Sequence, residues 1–198
     1  MSKSSSNTVS PAEVIEKSGA DILRLWVASS DYSEDLKIGP EIIKSNIDSY
    51  RRLRNTLRFI LGNLSDFDQD EKVSVDELDE LDLYILSELE SLKKEVISNY
   101  KIFEYQKVFS AIFNFCTNDL SSFYFDVRKD TLYCDSKNNK VRKSTRTVLD
   151  ILFHDLLSLL APILCFTTEE AWQSRFGFEN SIHEKDFPKL NDTLINKN

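Results

Sequence analysis

The chain has 198 residues with a formal net charge of −8, and only four Gly, four Pro and three Cys. So few turn formers exclude barrels and sandwiches, 41% hydrophobic content excludes global disorder, and three Cys exclude a complete disulfide framework, which points to a reducing compartment. No apolar run approaches the ~20 residues of a membrane span, and the first ten residues, small and polar, lack the apolar core of a secretory signal.

Net charge hides an uneven distribution. Asp66 to Glu104 carries 13 acids and 4 bases, whereas Lys44 to Arg58 carries 5 bases and 1 acid, and Arg128 to Arg146 carries 7 bases and 2 acids. One acidic block and two basic stretches therefore coexist in an acidic protein.

In chain order, Ser10-Pro11 reads as an N-cap followed by Pro at the first helical position, opening a short helix that stops at Gly19. Ala20 to Ser29 is compact and apolar, and periodicity leaves it open between helix and strand. Pro40 opens the first long helix, with Ile43, Ile47, Tyr50, Leu53, Leu57, Ile60 and Leu64 on one stripe. An acidic connection follows, in which Ser74 to Glu77 has the form of a capping box. A second helix is predicted through Leu81, Ile85, Leu89, Leu92 and Val96, and a third through Tyr105, Phe109, Ile112, Cys116, Leu120, Tyr124 and Val127. Residues 135–139 break the pattern. The fourth helix runs through Val148, Leu152, Leu156 and Leu160 towards Pro162, and a fifth is expected from Thr167 or Thr168, holding Trp172. The pattern predicts an all-α, antiparallel helical bundle over residues 40–175, led by a segment at 1–39 and followed by a tail at 176–198.

Cys116, Cys134, Cys165, His154 and His183 show no spacing of a metal site, so none is expected. His154 falls opposite the stripe of its helix and reads as solvated. Four Gly leave no phosphate-cradling loop. Two basic rows stand out. Arg51, Arg54 and Arg58 occupy one side of the first long helix; Lys140, Arg142, Lys143 and Arg146 open the fourth. Forked guanidinium groups in rows suit a nucleic-acid backbone. The competing reading is a solvated face with internal ion pairs to the acidic second helix, and the sequence leaves both open. Trp26 and Trp172 can stack on a base but sit in apolar runs, which favours a core role.

The N-terminal series is more specific. Met1-Ser2-Lys3-Ser4, then Asn7 to Pro11, then Gly19-Ala20-Asp21-Ile22-Leu23-Arg24-Leu25-Trp26-Val27 follow one another in a distinctive order. They resemble the part of class I aminoacyl-tRNA synthetases that begins at the KMSKS signature loop. Ser49 to Thr56, Phe123 to Asp126 and Ala161 to Trp172 also look like this family, and Ser30-Asp31-Tyr32 with the Tyr50-Arg51-Arg52-Leu53-Arg54-Asn55-Thr56 run is closest to its bacterial isoleucyl branch. Two departures are visible: the signature's first Lys would precede Met1, and Ser5-Ser6 stand where Leu-Gly is usual.

The resemblance implies that Lys3, flanked by Met1, Ser2 and Ser4, contacts the phosphates of ATP. It implies a bundle packed beside the anticodon stem of isoleucine tRNA, a cytoplasmic ligase, and a catalytic nucleotide-binding fold and editing domain that would lie upstream of Met1. It also implies a zinc-binding region downstream. The chain alone is expected to bind tRNA and catalyse nothing. An RNA-binding module acting in trans and a helical interaction protein without RNA remain the alternatives.

Overall fold

A computed structural model describes residues 9–33, 35–191 and 194. Among these there is no strand, so the all-α expectation holds. Helix α1 (Pro11–Ser18) starts at its proline and stops at Gly19, whose φ of 89° belongs to the region that L side chains avoid. The ambiguous apolar stretch is a helix, α2 (Ala20–Ser29), with Ile22, Leu25 and Ala28 buried. Pro40 opens α3 (Pro40–Asn63), which turns Leu53, Leu57 and Ile60 inward. Then come α4 (Glu80–Lys101), α5 (Tyr105–Asn114), α6 (Phe125–Cys134), α7 (Lys140–Leu160) and α8 (Cys165–Phe176).

The centre of the bundle is α7. Every residue from Ser144 to Asp150 is buried, and Val148, Leu149, Leu152, Phe153, Leu156, Leu157 and Leu159 are fully enclosed. A helix buried nearly all round must be surrounded by others, and α3, α4, α6 and α8 supply that shell. The tail returns to the bundle: Ile182 and Leu194 are buried and the Asn191 amide donates to Glu90 at 2.8 Å.

Several expectations need correction. The capping box at Ser74 and Glu77 exists, but it caps a single 3₁₀ turn, Val75–Glu77, and α4 begins only at Glu80. Helix α8 starts at Cys165, ahead of the two threonines, because its cap comes from another helix. The third predicted helix is three pieces: between α5 and α6 the chain widens into a π-helix, Phe115–Tyr124. The wide turns are tied by hydroxyls, with Ser121 donating to the Cys116 carbonyl and Ser122 to the Thr117 carbonyl, each at 2.8 Å. Thr56 of α3 reaches the same Cys116 carbonyl at 3.4 Å. Finally, His154 is only partly solvated, its side chain keeping 39% exposure. Its ring lies 5.5 Å from Trp172 and 5.3 Å from Phe176, and burial pushes its pKa below the usual value although Asp150 opposes this.

Candidate nucleic-acid interface

Helix α2 is fixed to the rest of the bundle through two of its side chains. Asp21, 6% exposed, accepts from the amides of Phe166 (3.3 Å) and Thr167 (2.8 Å) and from the Thr167 hydroxyl (2.6 Å). These are free amides of the first turn of α8, whose own N-cap, Leu164, offers no side-chain acceptor. One turn later Arg24 donates to the carbonyls of Pro162 (2.6 Å) and Ile163 (3.0 Å), just past the end of α7. An anion thus meets the positive end of one helix and a cation the negative end of another.

The predicted basic residues divide by environment. Arg51 is exposed and, among the described residues, pairs with Asp48 on its own helix, at 3.2 Å. Arg54 is 3.9 Å from Glu170 of α8. Arg58 is exposed and has no ion pair among the described residues. Arg54 and Arg58 together line a groove of about 190 Å³ between α3 and α8, with Thr167, Glu170 and Ser174 opposite. Exposed ion pairs of this kind are worth ~0–1 kcal/mol, so they leave the guanidinium groups available to a phosphate.

At the start of α7, Asn139 caps the helix by accepting from the Arg142 amide at 3.1 Å. Lys140 is exposed, Lys143 is half-buried, and neither makes an ion pair among the described residues. Arg142 is half-buried and turns back to the Asp135 carbonyl at 3.2 Å. Three cations in the first turn stand against the helix dipole, since the free amides there already carry positive charge and the turn itself holds no acid, although Lys140 is near enough to Glu77 to help lower its carboxyl. The result is a local preference for an anion.

Arg146 does not belong to this surface. Its side chain is 1% exposed, and it donates to Asp66 at 2.6 Å and Glu71 at 2.9 Å, beneath the Phe67 ring. The reading of Arg146 as a phosphate contact is corrected: it anchors the acidic connection to α7. Asp66 also takes Lys137 at 2.7 Å, and these cations hold its carboxyl below the usual range. Arg128 does similar work for α4, pairing with Asp79 and, at 3.3 Å, with the fully buried Asp82. So the competing reading is half right for Arg146, which is ion-paired, but to the acidic connection ahead of α4 and not to that helix, and no ion pair among the described residues involves Arg58, Lys140 or Lys143. Trp172 is buried, whereas Trp26 is half-buried with its ring N–H to the Lys37 carbonyl at 3.3 Å.

The sequence pattern overlooked Arg52. It is exposed and lines a second groove, of about 440 Å³, with Lys44, Ser45 and Ser49. Its place in the Arg51-Arg52 pair was the available signal. Met1, Ser2, Lys3 and Ser4 lie outside the described residues. No cluster of three or more metal-ligating side chains occurs among the described residues, and none of their helices is long and apolar enough to cross a membrane.

Comparison with known proteins gives this geometry a family. Residues 82–198 match the family described as the anticodon-binding domain of tRNA ligase, and residues 1–39 match tRNA synthetases class I (I, L, M and V). The isoleucine–tRNA ligase of Ruegeria pomeroyi is 53% identical over 96% of this chain, and that of Gluconobacter oxydans 50% over 94%. In both cases the chain spans about 20% of the relative's length. The fold is shared with Agrobacterium radiobacter K84 agnB2 LeuRS, solved as a ternary complex with tRNA and LeuAMS. The match has a TM-score of 0.74 at 19% identity, over 98% of this chain and 22% of that one. By the match across 82–198, the chain belongs to the anticodon-binding domain family of tRNA ligases.

Proposed function

We propose that this chain is the tRNA-binding portion of an isoleucine–tRNA ligase, a cytoplasmic enzyme that joins isoleucine to its tRNA through an aminoacyl-adenylate. The observation that carries the reading is the set of cations with no ion pair among the described residues, the exposed Arg58 and Lys140 and the half-buried Lys143, on a bundle of the anticodon-binding family. Arg51, Arg54 and Arg58 track the phosphates of the anticodon-side stem, and the start of α7 takes a further phosphate through Lys140, Arg142 and Lys143. Forked guanidinium donors fix the register of the RNA, while ion release makes binding strongly salt-dependent.

In the whole ligase, ATP is a substrate held elsewhere, and Lys3 contributes one ammonium to its phosphates. The catalytic and editing domains act on the same tRNA from the rest of the polypeptide or in trans. The chain alone binds tRNA and forms no adenylate.

The test replaces the matching stretch of the Ruegeria pomeroyi ligase with this chain. The chimera is expected to charge isoleucine tRNA, with Arg58→Ala plus Lys143→Ala raising KM for tRNA several-fold at unchanged adenylate formation. The isolated chain should show no isoleucine-dependent pyrophosphate exchange. A folded chimera that forms adenylate but cannot charge tRNA would overturn the reading, as would exchange by the isolated chain.

A further inference from the structure

Helix α4 ends in an unusual way. The Glu104 amide bonds to the Asn99 carbonyl at 2.9 Å and the Phe103 amide to the Tyr100 carbonyl at 3.2 Å. This pair of bonds is the Schellman arrangement, which places the residue after the cap in the left-handed region and is most often completed by Gly. Here that residue is Phe103, with φ of 63°. A side chain with a Cβ is disfavoured there. Burial in this chain does not offset the strain, because Phe103 is 63% exposed, as is its neighbour Ile102.

The corner is not an isolated pair of apolar residues. The Tyr32 hydroxyl donates to the Phe103 carbonyl, and the Tyr32 ring lies 6.3 Å from Tyr105. Phe103 lies 6.3 Å from Tyr105 as well, Tyr105 lies 6.1 Å from Tyr100, and Tyr100 stacks on Phe187 at 5.4 Å. Tyr32 is 50% and Phe187 41% exposed. A chain of ring contacts, running through the half-buried Tyr100 and Tyr105, therefore joins the exposed rings of three separate stretches of chain. Contiguous apolar surface held open at a conformational cost marks an interface.

The occupant follows from which stretch carries Tyr32. It lies within residues 1–39, the part that matches the class I synthetase family and not the anticodon-binding family, and the relatives are about five times the length of this chain. We propose that the surface formed by Tyr32, Ile102, Phe103 and Phe187 is the seat on which the class I synthetase body of the ligase packs. It joins the signature-bearing segment and the bundle into one contact. The inference rests on the ligase reading above.

The test is hydroxyl-radical footprinting of the isolated chain and of the Ruegeria chimera, read residue by residue. Oxidation of Phe103, Tyr32 and Phe187 is expected to fall at least five-fold in the chimera, while Phe178, 86% exposed on the far loop after α8, changes little. Phe103→Gly supplies the second arm. It relieves the left-handed strain, so it should raise the isolated chain's Tm by ~2–4 °C. In the chimera the same change should lower the midpoint for detachment of the bundle and restore most of the oxidation of Tyr32. Unchanged oxidation in a charging-competent chimera would overturn the docking proposal and leave the ligase reading intact. Unchanged oxidation in a chimera that cannot charge tRNA would count against both. Protection that grows with concentration in the isolated chain would assign the surface to a second copy and would likewise overturn it.

Discussion

Removing the Asp21 carboxylate should destabilise the bundle far more than its place in a short N-terminal helix suggests. In Asp21→Ala the buried Thr167 amide and the part-buried Phe166 amide lose their acceptor. Loss of a helix N-cap costs ~1 kcal/mol, with a range of ~0.5–2. Loss of an anion from a partly buried helix N-terminus adds ~0.3–2 kcal/mol, and a buried N–H left unpaired adds ~1–3. These overlap, so the expected loss is about 2–4 kcal/mol, or roughly 5–15 °C of Tm for a chain of this size. Urea unfolding followed by far-UV circular dichroism measures it at constant m-value. Asp21→Asn keeps one acceptor and should lose about half as much. A double-mutant cycle with Thr167→Val should give a coupling of at least ~0.5 kcal/mol, since the two side chains share a 2.6 Å hydrogen bond. A loss below ~0.5 kcal/mol for Asp21→Ala would refute the idea that α2 caps α8.

Three other predictions concern the interior. Arg146→Met should destabilise the fold by about 1–3 kcal/mol by leaving Glu71 without its cation and Asp66 with Lys137 alone, yet leave the salt slope of RNA binding unchanged; a stable variant with a reduced salt slope would return Arg146 to the RNA surface. The lowered His154 pKa makes the folded state resist protonation, so the unfolded chain binds the proton first. Stability should therefore fall as pH drops through about 6.5 towards the lower folded value, a dependence that His154→Gln flattens in thermal melts; an identical pH profile in the variant would contradict this. Burial pushes the Cys116 thiol up to about 12, whereas Cys134 is exposed, so a disulfide reagent at pH 8 should label Cys134 at once and Cys116 only on unfolding.

How much of this was legible in the sequence depends on the distance over which each feature is determined. The stripes of α3, α4 and α7 repeat at three and four residues, so local periodicity revealed them. The π-helix escaped because one extra residue per turn leaves the apolar positions looking helical while shifting the face they present. Arg142 and Arg146 are indistinguishable on a helical wheel. What separates them is that Asp66 and Glu71, 80 and 75 residues away in the chain, fold over Arg146 alone. His154 was read only in part for a related reason: it keeps 39% exposure, but Trp172 and Phe176 of α8 cover one side of it, and nothing in its own helix signals those contacts. The apolar run of α2 could not be typed, although Asp21 and Arg24, three residues apart, were visible as part of the motif. Their role appears only when the α7–α8 corner is set beside them.

The most direct test of the central claim is a fluorescence-anisotropy titration of the purified chain with isoleucine tRNA and with valine tRNA across a salt series. An anticodon-side surface predicts tighter binding of isoleucine tRNA and an affinity that falls log-linearly with salt. It also predicts a slope reduced by ~1 for each of Arg58→Ala and Lys143→Ala and unchanged by Arg51→Ala plus Asp48→Ala beyond the single Arg contact. Equal, salt-insensitive affinity for both tRNAs, or binding unaffected by Arg58 and Lys143, would contradict it.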